Sequence, residues 1–175
     1  MKKTVFFLII LAFGVIFSSV GFAQSDVYLY GTAKKAVAAG DNDYAFMCFF
    51  SLLYSSIKSK YHKEALFTTG EYYYFIGDYR SAEKAFSDFI DCYSKDEALP
   101  FAIVYLLKIS NWMQISKTAA DLRKKVITFK QLSLLFSESK ELFFISPANL
   151  HYKATYFIDY IEIYINEELF EKIYF

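Results

Sequence analysis

Two histidines, His62 and His151, two cysteines, Cys48 and Cys92, and a few neighbouring carboxylates are the groups in this chain whose types suit nucleophilic, acid–base or metal chemistry. A catalytic histidine works inside a set that includes a nucleophile and an orienting carboxylate, and neither histidine comes with such a set. His62 lies between Tyr61 and Lys63 at the start of an expected helix and reads as solvent-facing. His151 follows a break in the chain and reads the same way. The cysteines fall inside expected helices at different heights, so they read as two buried thiols rather than a disulfide. Two cysteines and two distant histidines do not supply the converging ligands of a zinc site. Glu167-Glu168 and the Asp88/Asp91 pair have the type for general acid–base work, but on a turn and a solvated helix face they read as surface charge. There is no glycine-rich phosphate loop, no HExxH and no Gly-x-Ser-x-Gly elbow. The expectation is a protein that is not an enzyme and takes no metal and no cofactor.

The elements that would position any binding residues begin after an export signal. Lys2 and Lys3 precede an apolar run from Val5 to Phe17, interrupted only by Gly14, and then Ser18-Ser19-Val20-Gly21-Phe22-Ala23. Gly21 and Ala23 stand where a signal peptidase needs small side chains, with Gln24 first after the cut. Residues 1–23 therefore read as a signal peptide of bacterial type, which implies the periplasm or the outer-membrane periphery. The alternative is an uncleaved anchor, since Val5 to Ala23 approaches the roughly 20 residues that span a bilayer. No cysteine follows Ala23 for lipid attachment, and no other stretch is long and apolar enough to span.

Removing 23 of the 175 residues leaves 152, enough for one domain with a sizeable core. Losing Lys2 and Lys3 takes the formal charge from zero to −2. A weakly acidic chain without a basic block is not built for nucleic acid or for anionic lipid. The 16 Tyr and 20 Phe must fill a core, and Tyr also suits interfaces. With two prolines in the whole chain, helices are the expected elements.

An internal repeat organises them. Gly40-Asp41 recurs 37 residues on as Gly77-Asp78, and the same offset pairs Ala33 with Gly70, Ala45 with Ala82, Phe49 with Phe86 and Leu52 with Phe89. A period near 37 belongs to a two-helix unit. In the second unit Ala65, Leu66, Thr69, Gly70, Tyr73 and Ile76 recur at helical steps. Gly77 stops that helix, and the next carries Ala82, Ala85, Phe86, Phe89 and Ile90 on one face. Small residues at Gly70 and Ala82 would let the two helices approach.

The second unit resembles a tetratricopeptide repeat: Leu66, Gly70, Tyr73, Gly77-Asp78-Tyr79, Ala82 and Phe86 stand in that family's order and spacing. The first, about 27–60, is similar through Ala33, Gly40-Asp41, Ala45 and Phe49, but has Ala36 where a large aromatic is usual. Both lack the motif's terminal proline. The resemblance implies an all-α superhelix of about three helix-turn-helix units over residues 24–137. It also implies ligand-facing positions on a concave surface: Tyr30 and Lys34 in the first unit, and Glu64, Phe67, Glu71, Tyr74 and Phe75 in the second. The similarity to bacterial envelope-assembly proteins with such repeats is one of fold.

A third unit would start at Pro100, with Ala102, Tyr105, Ile109 and Trp112 as its apolar face, and continue in a helix over 117–137 burying Leu122, Val126, Phe129, Leu132 and Phe136. Ser146-Pro147-Ala148-Asn149 then breaks the chain within a C-terminal extension, 138–175. From Ile161 the residues alternate, which points to a hairpin of about 160–165 and 169–175 turning at Asn166-Glu167; a single amphipathic helix is the rival. The expected function is a non-enzymatic adaptor or scaffold of the cell envelope that binds a protein or peptide through the concave face. The alternative is a self-associating envelope component in which homo-oligomer contacts or the tail consume that face. Membrane contact would come only through an uncleaved signal segment.

Overall fold

The computed structural model describes residues 25–55, 59–114, 120–126 and 141–174. The export signal expected over 1–23 lies outside them. Five helices come first: α1 (Asp26–Ala39), α2 (Asn42–Ser55), α3 (His62–Phe75), α4 (Tyr79–Cys92) and α5 (Leu99–Trp112). Each packs on the next along the chain, as consecutive antiparallel pairs do. Ser25 starts α1 by accepting the Tyr28 N–H on its hydroxyl. A cap of this kind contributes about 1 kcal/mol.

The two inter-helix turns are the same structure 37 residues apart. Gly40 and Gly77 both take the left-handed conformation, at φ 76° and 82°, which a side chain would strain. Gly40 N–H donates to Val37 O and Asp41 N–H to Ala36 O; Gly77 N–H donates to Tyr74 O and Asp78 N–H to Tyr73 O. Asp41 then accepts the Tyr44 N–H, and Asp78 the Ser81 N–H, starting α2 and α4. The Gly-Asp dipeptide thus ends one helix and caps the next in both units.

Between the helices of the second pair, Gly70 makes room for Phe86. A Cβ on Gly70 would stand 2.9 Å from the Phe86 ring. That ring is fully buried and stacks on Tyr105 at 4.5 Å, so it has nowhere to move. Ala33, Ala45, Phe49 and Leu52 form the matching core of the first pair. Each fully buried Phe or Leu contributes about 1.5–3 kcal/mol.

The C-terminal part is a four-stranded antiparallel meander of β1 (Glu141–Ile145), β2 (His151–Tyr156), β3 (Tyr160–Ile165) and β4 (Glu168–Tyr174). The hairpin expected near 160–175 is present as β3 and β4. Asn166 and Glu167 both have positive φ, 49° and 69°, the two-residue turn whose twist suits paired strands. The first hairpin was not expected. Ser146-Pro147-Ala148-Asn149, which reads in the sequence as a break, is its turn: Asn149 N–H donates to Ser146 O and Ser146 N–H to Leu150 O.

One face of the sheet is apolar at every second residue: Tyr152, Ala154 and Tyr156, then Ile161, Ile163 and Ile165. That face covers α3 and α5, so the helices and the sheet share one core. It also explains α5, which is buried on all sides from Leu99 to Leu107. A helix apolar all round must be enclosed, and this one lies between α4 and the sheet. Leu122 and Val126, on helical residues 120–126, join the same core. Trp112, expected on the buried face of α5, is instead exposed at its last position, where its ring packs beside Tyr79. Phe129, Leu132 and Phe136 lie outside the described residues.

Candidate functional site

The sheet sits where an open concave groove was expected. Seen from α3, Phe67, Glu71 and Tyr74 meet it in turn. Phe67 packs edge-on against Phe144 and Tyr152, and Tyr74 against Tyr105 and Phe170. Phe67 and Glu71 are each only 1% exposed. They are therefore core residues rather than open groove positions, because strands that follow the repeats in sequence fold back over them. Tyr74 is half-buried, and burial pushes its phenol up to about 12.

What remains of the groove is divided by the β1–β2 turn, which reaches between α1 and α3. Lys34 holds the turn down by donating from Nζ to Pro147 O at 2.8 Å. On one side is a cleft of about 240 Å³ lined by Tyr30, Lys34, Glu64 and Phe67 together with the Lys63–Asp96 ion pair. Tyr30 stacks on Tyr61 at 4.1 Å. One oxygen of Glu64, Oε2, is buried there without a hydrogen-bond partner.

On the other side is a cavity of about 300 Å³. Its walls come from the end of α1 (Val37), the start of α2 (Asn42, Asp43, Ala45, Phe46), α3 (Thr68, Glu71, Tyr72, Phe75, Ile76) and the turn (Ala148, Leu150). Phe46 stacks on Tyr72 at 4.0 Å, and the Tyr72 hydroxyl donates to Asp43 at 2.7 Å. Phe75 and Asp43 are exposed, so they edge the opening, whereas Thr68 and Glu71 are buried.

Glu71 connects the cavity to the core. Its Oε1 accepts a short hydrogen bond from the Tyr152 hydroxyl, and the Tyr152 and Tyr105 hydroxyls are 2.7 Å apart. Its Oε2 has no partner, nor has the Thr68 hydroxyl. Burial pushes the Glu71 carboxyl up to about 8, against the pull of the Tyr152 and Ser146 hydroxyls. The group is therefore protonated at neutral pH and can offer an O–H as well as accept. Burial also raises both tyrosines well above the usual phenol range.

Six of the seven expected ligand-facing residues thus line one of two clefts beside one turn: Tyr30, Lys34, Glu64 and Phe67 in the first, Glu71 and Phe75 in the second. Tyr74 lines neither. Tyr152, Thr68, Asp43 and Phe46 were missed, while Tyr105, expected on a buried apolar face, is buried there and meets Tyr152. The alternation of Tyr152, Ala154 and Tyr156 with His151, Lys153 and Thr155 was the available signal for Tyr152.

The residues first considered for chemistry stand apart from this site. His62, expected at the surface, is 8% exposed, with Nδ1 2.8 Å from the Tyr93 hydroxyl. The first turn of α3 tucks it under the end of α4, and burial lowers its pKa. His151 is exposed. Both cysteines are free; Cys48 is buried, but Cys92 is exposed because it is the last residue of α4 rather than an interior one. Asp88 pairs with Lys84 at 2.8 Å, and Asp91, Glu167 and Glu168 face solvent. Among the described residues no three His, Cys, Asp or Glu are grouped to hold a metal ion, and no helix is long and apolar enough to cross a membrane. No protein-family model and no curated protein matches the chain.

Proposed function

We propose that this chain is a non-enzymatic binding module of the bacterial cell envelope, built on tetratricopeptide-like helix pairs, that holds a protein or peptide partner in the two clefts beside the β1–β2 turn. The observation that carries this reading is the convergence on those clefts of residues chosen from the repeat alone, with Tyr30, Lys34, Glu64 and Phe75 at least partly exposed and Phe67 and Glu71 buried behind them. The identical Gly-Asp turns support the repeat itself. The sheet replaces further repeats as the cover of the inner face, so the partner site is small. It suits a short segment or a few side chains rather than a long peptide lying along the array.

The test is cross-linked affinity purification from the envelope fraction, with Phe75→Asp and Tyr30→Ala run beside the unaltered chain. Phe75 is 58% exposed and Tyr30 half-buried, so circular dichroism should show both variants folded. The expected result is a distinct protein captured by the unaltered chain and lost with either substitution. If the same set is captured by all three, the clefts are not the partner surface.

Self-association is the second reading, and one observation favours it. Strand β1 is an edge of the sheet, with Phe143 and Ile145 exposed at 60% and 58%. An edge of this kind can pair with another copy. Recovery of the chain alone, in cross-linked dimers lost with Phe143→Lys, would favour that account.

A further inference from the structure

The cavity beside Glu71 has a chemical character more specific than a general binding cleft. Its acidic lining residues are Asp43 at the mouth and Glu71, protonated at neutral pH, at the base, and no Lys, Arg or His is among its walls. Its aromatic walls are Phe46, Tyr72 and Phe75. Two buried oxygen atoms, Glu71 Oε2 and Thr68 Oγ1, have no partner. The last turns of α1 and α3, which contribute Val37, Tyr72 and Phe75, carry no basic residue to offset their carbonyl ends. An anion would find no cationic side chain among these walls. A wholly apolar occupant would leave two buried polar atoms unsatisfied, at about 1–3 kcal/mol each.

We propose that the cavity is a primary-ammonium site, taking the alkyl stem of a lysine side chain or a small free amine between its aromatic walls and the ammonium head against Glu71 and Thr68. The inference rests on reading the clefts as the binding surface and names what enters one of them. The ammonium has three donors, and once Glu71 has released its proton its Oε2, with Thr68 Oγ1, is an acceptor without another partner. The rings of Phe46, Tyr72 and Phe75 give the alkyl stem an apolar lining. At about 30 Å³ per water-sized portion, the volume holds a side chain of several heavy atoms and no more.

The proton balance is explicit. The ligand arrives as R–NH3+, the Glu71 carboxyl gives up its proton, and carboxylate and ammonium pair, so one proton leaves to solvent. The groups facing Glu71 are Tyr152 from β2, Tyr105 from α5, and the hydroxyl of Ser146 from the turn. Asp43 and Tyr72 lie on the cavity's own wall, and the Lys34 ammonium is bonded to Pro147 O. Of these, Asp43 and Lys34 are the charged ones, and neither contributes to the Glu71 shift, which comes from burial.

Calorimetric titration of the whole chain at pH 6.5 with n-butylammonium chloride, 1-butanol and sodium butyrate tests this. The expected result is butylammonium binding at least tenfold tighter than butanol, no binding of butyrate, and about one proton released when two buffers of different ionisation heat are compared. Glu71→Gln, which preserves the neutral shape and the acceptor for Tyr152, should bring ammonium binding down to the butanol level and abolish proton release. Nα-acetyl-lysine amide, run in parallel, separates the sources: if it competes with butylammonium the occupant is a lysine side chain, and if only the free amine binds it is a small molecule. Equal affinity for butylammonium and butanol, or no ammonium binding by a chain with native circular dichroism, overturns the proposal. The partner capture described above does not depend on either result, so the two readings fail separately.

Discussion

Glu71 ties the pH behaviour of the whole core to one carboxyl. Its folded value is raised from 4.5 to about 8 by burial, so between those values the folded chain holds a proton that the unfolded chain has lost. Stability from this group is full below about pH 4.5 and declines as pH rises toward 8, by about 1.4 kcal/mol per unit where the difference is complete. Glu71→Gln, neutral at all pH values, should remove that slope. Urea denaturation at pH 4.5 and pH 8.5 is the check: the variant and the unaltered chain should agree at the lower pH, and the variant should be the more stable at the higher by several kcal/mol. Equal slopes would mean that Glu71 is ionised in the folded protein. Nothing in the sequence marks Glu71 as buried. It occupies a helix position that the repeat pattern assigns to a solvated inner face, and only the strands 81 residues further on desolvate it.

Among the elements, the β3–β4 turn shows how far local chemistry goes. Asn166 tolerates positive φ and uses its side chain to accept the His151 N–H at 3.0 Å, holding the turn to β2. Glu167 takes the same backbone conformation with no such return. Glu167→Gly should therefore stabilise the fold by about 0.5–1 kcal/mol, given a left-handed cost of roughly 1–2 kcal/mol partly offset by the unfolded-state entropy of glycine. Thermal unfolding reads this directly; a lowered midpoint would place the carboxylate in a contact that matters. The helix pairs were legible because their signals are short-range: Gly77 ends α3 and Asp78 caps α4 within two residues. The β3–β4 hairpin was legible because Ile161, Ile163 and Ile165 alternate without interruption. Strands β1 and β2 were not. Leu142-Phe143-Phe144-Ile145 is apolar at neighbouring positions, which hides a period of two, and Pro147 reads as an ending where it is a turn. The clefts were half legible, since the repeat supplies one wall while the turn that divides them comes from β1 and β2.

At the scale of the molecule, the sheet does what added repeats do in a longer array, which is to keep the inner apolar face from water. A chain shortened to residues 25–140 would expose Phe67, Phe101 and Tyr105, all buried against the sheet. It should keep helical circular dichroism, bind a hydrophobic dye and lose its cooperative unfolding transition. A shortened chain that melts sharply and ignores the dye would show that the helix pairs stand alone. The arrangement also has a consequence in time. A repeat array ordinarily consolidates unit by unit as it is made. Here the residues that close the inner face, Phe144, Tyr152 and Phe170, are all translated after the helices they cover. From the time α5 emerges until those later residues leave the ribosome, a nascent chain carries the aromatic strip along α3 and α5 without its cover. That interval, rather than the finished protein, is when it has most need of a chaperone.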